Sequence, residues 1–242
     1  MEGSTIKNGD NNPLPGEMIG RISGLTKKYQ DKLILSKVSF ELPARKITTL
    51  TGPSGSGKTS LIRCLNGLER FDEGSIEISG ISIPPLPHLI QPELLRNIRR
   101  KIGFIFQQFH LFSHLTVLKN VMSGPQYVLG KSLQDAKSIA LPLLEQMGLT
   151  STTNQYPRQL SGGQQQRVAI ARALAVNPEV ILFDEPTSAL DLKNREEVFF
   201  LLKSLANQGK TLLIITHDLE LARKGDQQLF LNSEGITKIE PS

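Results

Sequence analysis

The chain has 242 residues, with 28 lysines and arginines against 23 aspartates and glutamates, a formal charge of +5. That length admits one large α/β domain or two small ones, and the modest, scattered basic excess gives no ground for nucleic acid as a partner. A single cysteine, Cys64, excludes an internal disulfide, which suits a reducing compartment, and no apolar run approaches the roughly 18 residues that cross a bilayer.

The first segment, 1–17, reads MEGSTIKNGDNNPLPGE. It is rich in Gly, Asn, Asp and Pro, has no apolar signal core, and is expected to be flexible. Patterned sequence begins at Met18. Short β-like runs at 19–25, 33–35 and 38–42 alternate with turns. Tyr29, one of three tyrosines, lies between them.

The run 46–51 is short and β-branched and reads as a strand. It leads into Gly52-Pro53-Ser54-Gly55-Ser56-Gly57-Lys58-Thr59, a full match to the G-x-x-x-x-G-K-[ST] phosphate loop. Leu61, Ile62, Leu65 and Leu68 then recur at helical spacing, with Gly67 placed to end the helix. This order has a chemical sense. Glycines let backbone N–H groups approach phosphate oxygens. A helix starting at about Lys58 adds its N-terminal dipole. Lys58 is suited to neutralise the outer phosphates, and the Thr59 hydroxyl to ligate Mg²⁺. Cys64 falls within that helix and is expected to pack rather than react.

Residues 74–80 alternate between glycines and read as a strand, and the proline-rich stretch 84–92 reads as a boundary. A basic helix is expected at 93–100, with Arg96, Arg99 and Arg100, and a short strand at 102–106 ends at Gln107. Ser132 with Asp135 forms a capping-box start for a helix carrying Ala136, Ile139, Ala140, Leu143, Leu144 and Met147 on one face. Pro142 is expected to kink it and Gly148 to end it. The stretch 91–159 is expected as a helical insertion in the α/β core.

Ser161-Gly162-Gly163-Gln164 is a second capping box and opens a helix through Leu174. A helix N-terminus fronted by a serine and glycines is a second anion site in form. Next, 180–183 is an apolar strand ending at Asp184-Glu185. Adjacent carboxylates at a buried strand end repel, and a metal resolves that conflict: Asp184 is placed to hold Mg²⁺. Glu185 is then free to act as general base on a water. Ser188-Ala189-Leu190-Asp191 precedes another amphipathic helix, and 211–215 is a buried strand ending at Thr216-His217.

GPSGSGKT, the glutamine of IGFIFQQ, LSGGQQQR, ILFDEP, SALD and the ITH histidine together resemble the ATP-binding cassette (ABC) ATPases. LSGGQ is the specific element, since many NTPase families share the phosphate loop. The resemblance implies an α/β fold: a P-loop NTPase core of ABC type over 18–242, with an N-terminal antiparallel β subdomain and a helical insertion. It implies that Tyr29 stacks on adenine and that Gly52 to Ser60 cradle the phosphates. Gln107 senses Mg²⁺ and the attacking water. Ser161, Gly162, Gly163 and Gln164 contact the γ-phosphate of an ATP held by a partner subunit. Asp184 serves Mg²⁺, Glu185 the water, Asp191 the dimer interface and His217 the γ-phosphate. The implied unit is a head-to-tail dimer, of two copies or of this chain with a homologous ATPase subunit, around two ATP molecules.

LIRCLNGLE, FQQFHLFSHLTVLKNV and YPRQLSGGQQQRVAIARALA look, more narrowly, like the bacterial polar amino-acid uptake branch. That implies separate integral membrane permease subunits, a solute-binding protein acting through them, and a cytoplasmic position on the inner face of the cell membrane. The 93–130 stretch is expected to meet the permease. The match to that branch fades after His217. An ABC ATPase of a lipoprotein-release or cell-division complex is the alternative. Nucleic-acid-handling members carry a long coiled-coil insertion or tandem cassettes, and this chain has neither. Intact Lys58, Asp184, Glu185 and His217 argue against a non-hydrolysing scaffold.

Overall fold

The computed structural model describes residues 17–188 and 192–239. In chain order the main elements are β1 (Met18–Tyr29), β2 (Lys32–Pro43), β3 (Ile47–Thr51), α1 (Lys58–Leu65), β4 (Glu73–Ile78), β5 (Ile81–Ile83), α2 (Pro92–Lys101) and β6 (Ile102–Ile105). They continue as α3 (Val117–Tyr127), α4 (Leu133–Gln146), α5 (Gly162–Leu174), β7 (Val180–Asp184), α6 (Leu192–Asn207), β8 (Thr211–Ile215), α7 (Leu219–Arg223), β9 (Gln227–Asn232) and β10 (Gly235–Ile239).

Among the described residues the strands form two sheets. One is four-stranded, ordered β2-β1-β4-β5, and antiparallel throughout. The runs 33–35 and 38–42 prove to be one strand, β2. It passes through an irregular register against β1, with Lys37 at φ 46° and its N–H bonded to the Thr26 hydroxyl at 3.3 Å.

The second sheet is six-stranded, ordered β10-β9-β3-β8-β7-β6. All of its pairs are parallel except the β9–β10 hairpin. Every residue of β3, β7 and β8 is buried, which is why these strands read as unbroken apolar or β-branched runs rather than alternating ones. Alternate residues serve opposite faces. Val180 and Leu182 join the core shared with the antiparallel sheet and α1. Ile181 and Phe183 join the core shared with α3, α4, α5 and α6.

This division redraws the stretch 91–159. Within it, α2 places Ile98 in the core of the antiparallel sheet with the half-buried Leu94 packed against it, and β6 is the edge strand paired in parallel with β7. The helices that pack together as a separate layer are α3, α4 and α5, through Val121, Ala136, Ala140, Leu144, Val168 and Ala171.

The helix ends follow their sequence signals. Ser132 Oγ accepts the Asp135 N–H at 3.1 Å. At the far end of α4, Leu149 N bonds to Leu144 O at 2.8 Å and Gly148 N to Glu145 O at 2.9 Å, a Schellman closure on a glycine at φ 68°. The helix runs unbroken through Pro142. The same closure ends α1: Leu68 N bonds to Arg63 O and Gly67 N to Cys64 O. Cys64 is buried, and burial pushes its thiol pKa up to about 12, so it packs and does not react.

Candidate nucleotide site

Residues 52–57 connect the C-terminal end of β3 to the start of α1, wedged between the two sheets. A Cβ on Gly52, at φ 147°, would lie 2.1 Å from the Leu231 carbonyl oxygen of β9. One on Gly57, at φ 93°, would lie 2.7 Å from Leu35 Cδ2 of β2. Gly55, at φ 79°, has open space on its Cβ side. Glycine is therefore required at 52 and 57 by contact and at 55 by backbone conformation. Pro53 and Ser54 form the exposed crest of the loop, and Ser60 lies in the first turn of α1.

Two features of this loop fit a phosphate chain. The Ser56 hydroxyl is buried without a hydrogen-bond partner among the described residues. The buried Lys58 ammonium donates to the carbonyls of Gly52 at 2.9 Å and Pro53 at 2.8 Å, so it is held over the loop. Burial lowers its pKa, and the carboxylates of Glu185 and Asp184 pull in the opposite direction.

Parallel pairing brings the ends of β3, β7, β8 and β6 to one edge. Thr59 Oγ1 donates to Asp184 Oδ1 at 3.2 Å. Asp184 is 6% exposed; burial raises its pKa, and the Thr59 hydrogen bond opposes that rise. A hydroxyl and a carboxylate in contact beside a phosphate loop form a hard oxygen donor set that fits Mg²⁺.

Glu185, the next residue, leaves the strand at φ 50° with its N–H bonded to Ile215 O at 3.0 Å. That turn carries its carboxylate away from Asp184. His217 Nε2 lies 3.0 Å from Glu185 Oε1. Gln107 Nε2 donates to Glu185 Oε2 at 3.3 Å and to Ser188 Oγ at 3.4 Å. The Ser188 hydroxyl donates in turn to the Glu185 carbonyl at 3.1 Å. Gln107, Glu185 and His217, predicted from three separate strand ends, thus share one carboxylate. Glu185, Thr187, Ser188, Arg195, Thr216, His217 and Asp218 line a cavity of about 190 Å³ beside it.

Ser161 caps α5 as the spacing predicts: its hydroxyl accepts the Gln164 N–H at 3.3 Å, and Gln164 Oε1 accepts the Ser161 N–H at 3.0 Å. Gly162 and Gly163 open the helix behind it. Among the described residues no hydrogen bond joins this helix start to the phosphate loop of the same chain. Tyr29 ends β1, half exposed, and its hydroxyl donates to Glu69 Oε2 at 2.5 Å. Asp191 lies outside the described residues.

Sequence reading missed Lys27, Glu69, Asn120 and Arg172. The Lys27 ammonium lies 4.4 Å from the Tyr29 ring centroid. Asn120 is fully buried and binds both the N–H and the carbonyl of Phe112, at 2.8 and 3.1 Å. Arg172 donates to the carbonyls of His110 at 2.7 Å and Phe109 at 3.2 Å, and its guanidinium lies 5.4 Å from the Phe112 ring centroid. Its arginine-in-an-apolar-run setting within α5 was the one available signal.

The chain belongs to the ABC transporter family, whose model matches residues 35–188. It is 43% identical over 221 residues to the L-cystine import ATP-binding protein TcyC of Bacillus subtilis, covering 91% of this chain and 89% of that one. It is 42% identical over 211 residues to the glutamine transport ATP-binding protein GlnQ of Escherichia coli, covering 87% and 86%. Among solved structures it resembles the dimeric post-hydrolysis state of the ATP-binding cassette MJ0796 bound to ADP and Pi. The TM-score is 0.81 at 37% identity, over 92% of this chain and 99% of that one.

Proposed function

We propose that this chain is the ATP-hydrolysing subunit that energises an importer of polar amino acids. The observation that carries the enzymatic part is the Glu185 carboxylate held between His217 Nε2 and Gln107 Nε2 beside the phosphate loop. The relatives named for cystine and glutamine transport support the solute class.

In this reading the backbone N–H groups of 52–57 and the N-terminus of α1 cradle the phosphates, and Lys58 neutralises them. Thr59, Asp184 and Gln107 are the residues that would hold Mg²⁺, which supplies charge neutralisation at the phosphate oxygens when bound. Glu185 takes a proton from the attacking water. Gln107 and His217 fix its carboxylate, and His217 is also placed to donate to the γ-phosphate. Tyr29 supports the adenine ring.

Ser161, Gly162, Gly163 and Gln164 serve the nucleotide of a second subunit, a copy of this chain or a homologous one, with Asp191 at the junction. No described helix is long and apolar enough to cross a membrane; in this reading separate permease subunits form the translocation path. We place this subunit against them on the inner face of the cell membrane, with the solute-binding protein acting from the far side. The 93–130 stretch is the docking surface. Within it, Gln107, Gln108, Phe109, His110, Leu111 and Ser113 line an open cavity of about 430 Å³.

The test is reconstitution with the cognate permease and binding protein in proteoliposomes, with phosphate release and labelled cystine, glutamate and glutamine uptake measured together. ATP turnover stimulated by at least one of these amino acids, with matching uptake, is expected. ATP turnover with no response to any polar amino acid would overturn the solute assignment.

A further inference from the structure

The adenine side of the site rests on groups that no motif marks. Glu69 is 15% exposed at its side chain and bridges two partners: its Oε2 accepts from the Tyr29 hydroxyl at 2.5 Å, and its Oε1 pairs with Arg63 Nη1 at 3.2 Å. Glu69 N also bonds back to Arg63 O at 3.1 Å, so the residue is fixed to the C-terminal end of α1. The Lys27 ammonium, on a side chain 7% exposed as a residue, covers one face of the Tyr29 ring at 4.4 Å from its centroid. Tyr29 itself is 48% exposed. A cation covers the ring, about half of the residue is exposed, and the hydroxyl is tethered.

We infer that Glu69 is the positioning residue of the adenine platform: it holds Tyr29, backed by Lys27, with one face presented to the purine at a distance from the phosphate loop set by α1. This rests on the assignment of Tyr29 to adenine. The physical logic is pre-organisation. A ring on a strand end, held only by its backbone, loses rotamer freedom when a base stacks on it. A ring already tethered loses less, and a cation on its far face adds to its fixation. Because α1 carries Lys58 at its start and anchors Glu69 just past its end, one short rigid helix spans from the phosphate site to the base site.

The Glu69 hydrogen bond also holds the Tyr29 phenol above its ordinary pKa, so it remains a donor at working pH.

The experiment measures ATP turnover and competitive inhibition by tripolyphosphate, which has no base, in Glu69→Ala, Glu69→Gln, Tyr29→Phe, Tyr29→Ala and the Tyr29→Phe/Glu69→Ala double variant. Removing a base-stacking ring costs ~5- to 150-fold in affinity, so Tyr29→Ala is expected to raise KM for ATP within that range. Glu69→Ala and Tyr29→Phe, which cut the same hydrogen bond from opposite ends, are expected to raise it by a part of that, about threefold to tenfold. The double variant adds nothing to either single one, Glu69→Gln restores most of the effect, and the tripolyphosphate inhibition constant stays put.

If Tyr29→Ala raises KM and Glu69→Ala does not, the positioning role fails and the adenine assignment survives. An unaltered KM in Tyr29→Ala overturns both. Equal weakening of ATP and tripolyphosphate in Glu69→Ala shows a general disturbance of α1 and overturns the proposal.

Discussion

Glu185 and Asp184 are neighbours in sequence and opposites in setting. Asp184 continues the strand into a buried position against Thr59, while Glu185 turns out through a left-handed backbone toward His217. Two predictions follow at this scale. Glu185→Gln preserves shape and the Gln107 contact but cannot take a proton, so phosphate release should fall by about 10²–10⁴-fold while nucleotide binding persists. Asp184→Asn should lose turnover yet melt at a higher temperature at neutral pH. The sign follows from the raised pKa: the folded state resists ionisation of this carboxyl more than the unfolded chain does. The ionised form therefore subtracts stability above the folded pKa, and the neutral amide removes that cost. As pH falls through the raised pKa toward the unfolded value, the wild type becomes protonated in place and the two melting curves should converge. A melting temperature for Asp184→Asn that is below wild type at neutral pH would contradict this account.

At the scale of elements, the segment after β6 is the informative one. Residues 109–116 have no regular structure, yet their backbone is satisfied by two side chains from different helices, Asn120 of α3 and Arg172 of α5. Asn120→Ala strands the Phe112 N–H and carbonyls that it serves, a cost of about 2–3 kcal/mol, or roughly 5–10 °C in melting temperature for a chain of this size. Phe112→Ala is different: the ring is 44% exposed, so melting and soluble ATPase activity should barely move while co-purification with the permease is lost. Sharp melting loss with normal assembly would make the ring core and put the docking site elsewhere.

The same elements show what a sequence can carry. Caps at Ser132 and Ser161, and glycine closures at Gly67 and Gly148, are local and were legible. So were the unbroken apolar runs of β7 and β8. The division of 91–159 was not, because whether Ile102–Ile105 belongs to the insertion or to the sheet depends on its pairing with Val180–Asp184, far along the chain. Glu69 and Arg172 escaped for a related reason: their partners are 40 and about 62 residues away, and no spacing rule encodes such a meeting.

For the whole molecule, the two phosphate-facing helix starts, at Lys58 and at Ser161, are not joined within one chain by any described hydrogen bond. Each helix start is suited to an anion, and in the function proposed above a second subunit completes the arrangement. Glu185→Gln saturated with ATP should sediment as a dimer, and adding Ser161→Arg, which places a bulky cation at the capped N-terminus, should return it to monomer. A monomer at saturating ATP would remove the stable sandwich. The positions of Gln107, Glu185 and His217 at strand ends were readable, but their convergence on one carboxylate required the parallel sheet order.

That order also governs how the protein is made. β3, the strand that leads into the phosphate loop, is flanked by β8 on one side and β9 on the other, and Gly52 rests against the Leu231 carbonyl of β9. The loop thus leaves the ribosome about 180 residues before its last neighbour, a wait of about 10–40 s at about 5–20 residues per second. Until β8 is made, which takes up most of that interval, a β-branched strand destined for the centre of the sheet has no partner on either edge. Nascent chains stalled at residue 205 should therefore fail to bind ATP-agarose and should engage chaperones, whereas chains released past β10 should be retained.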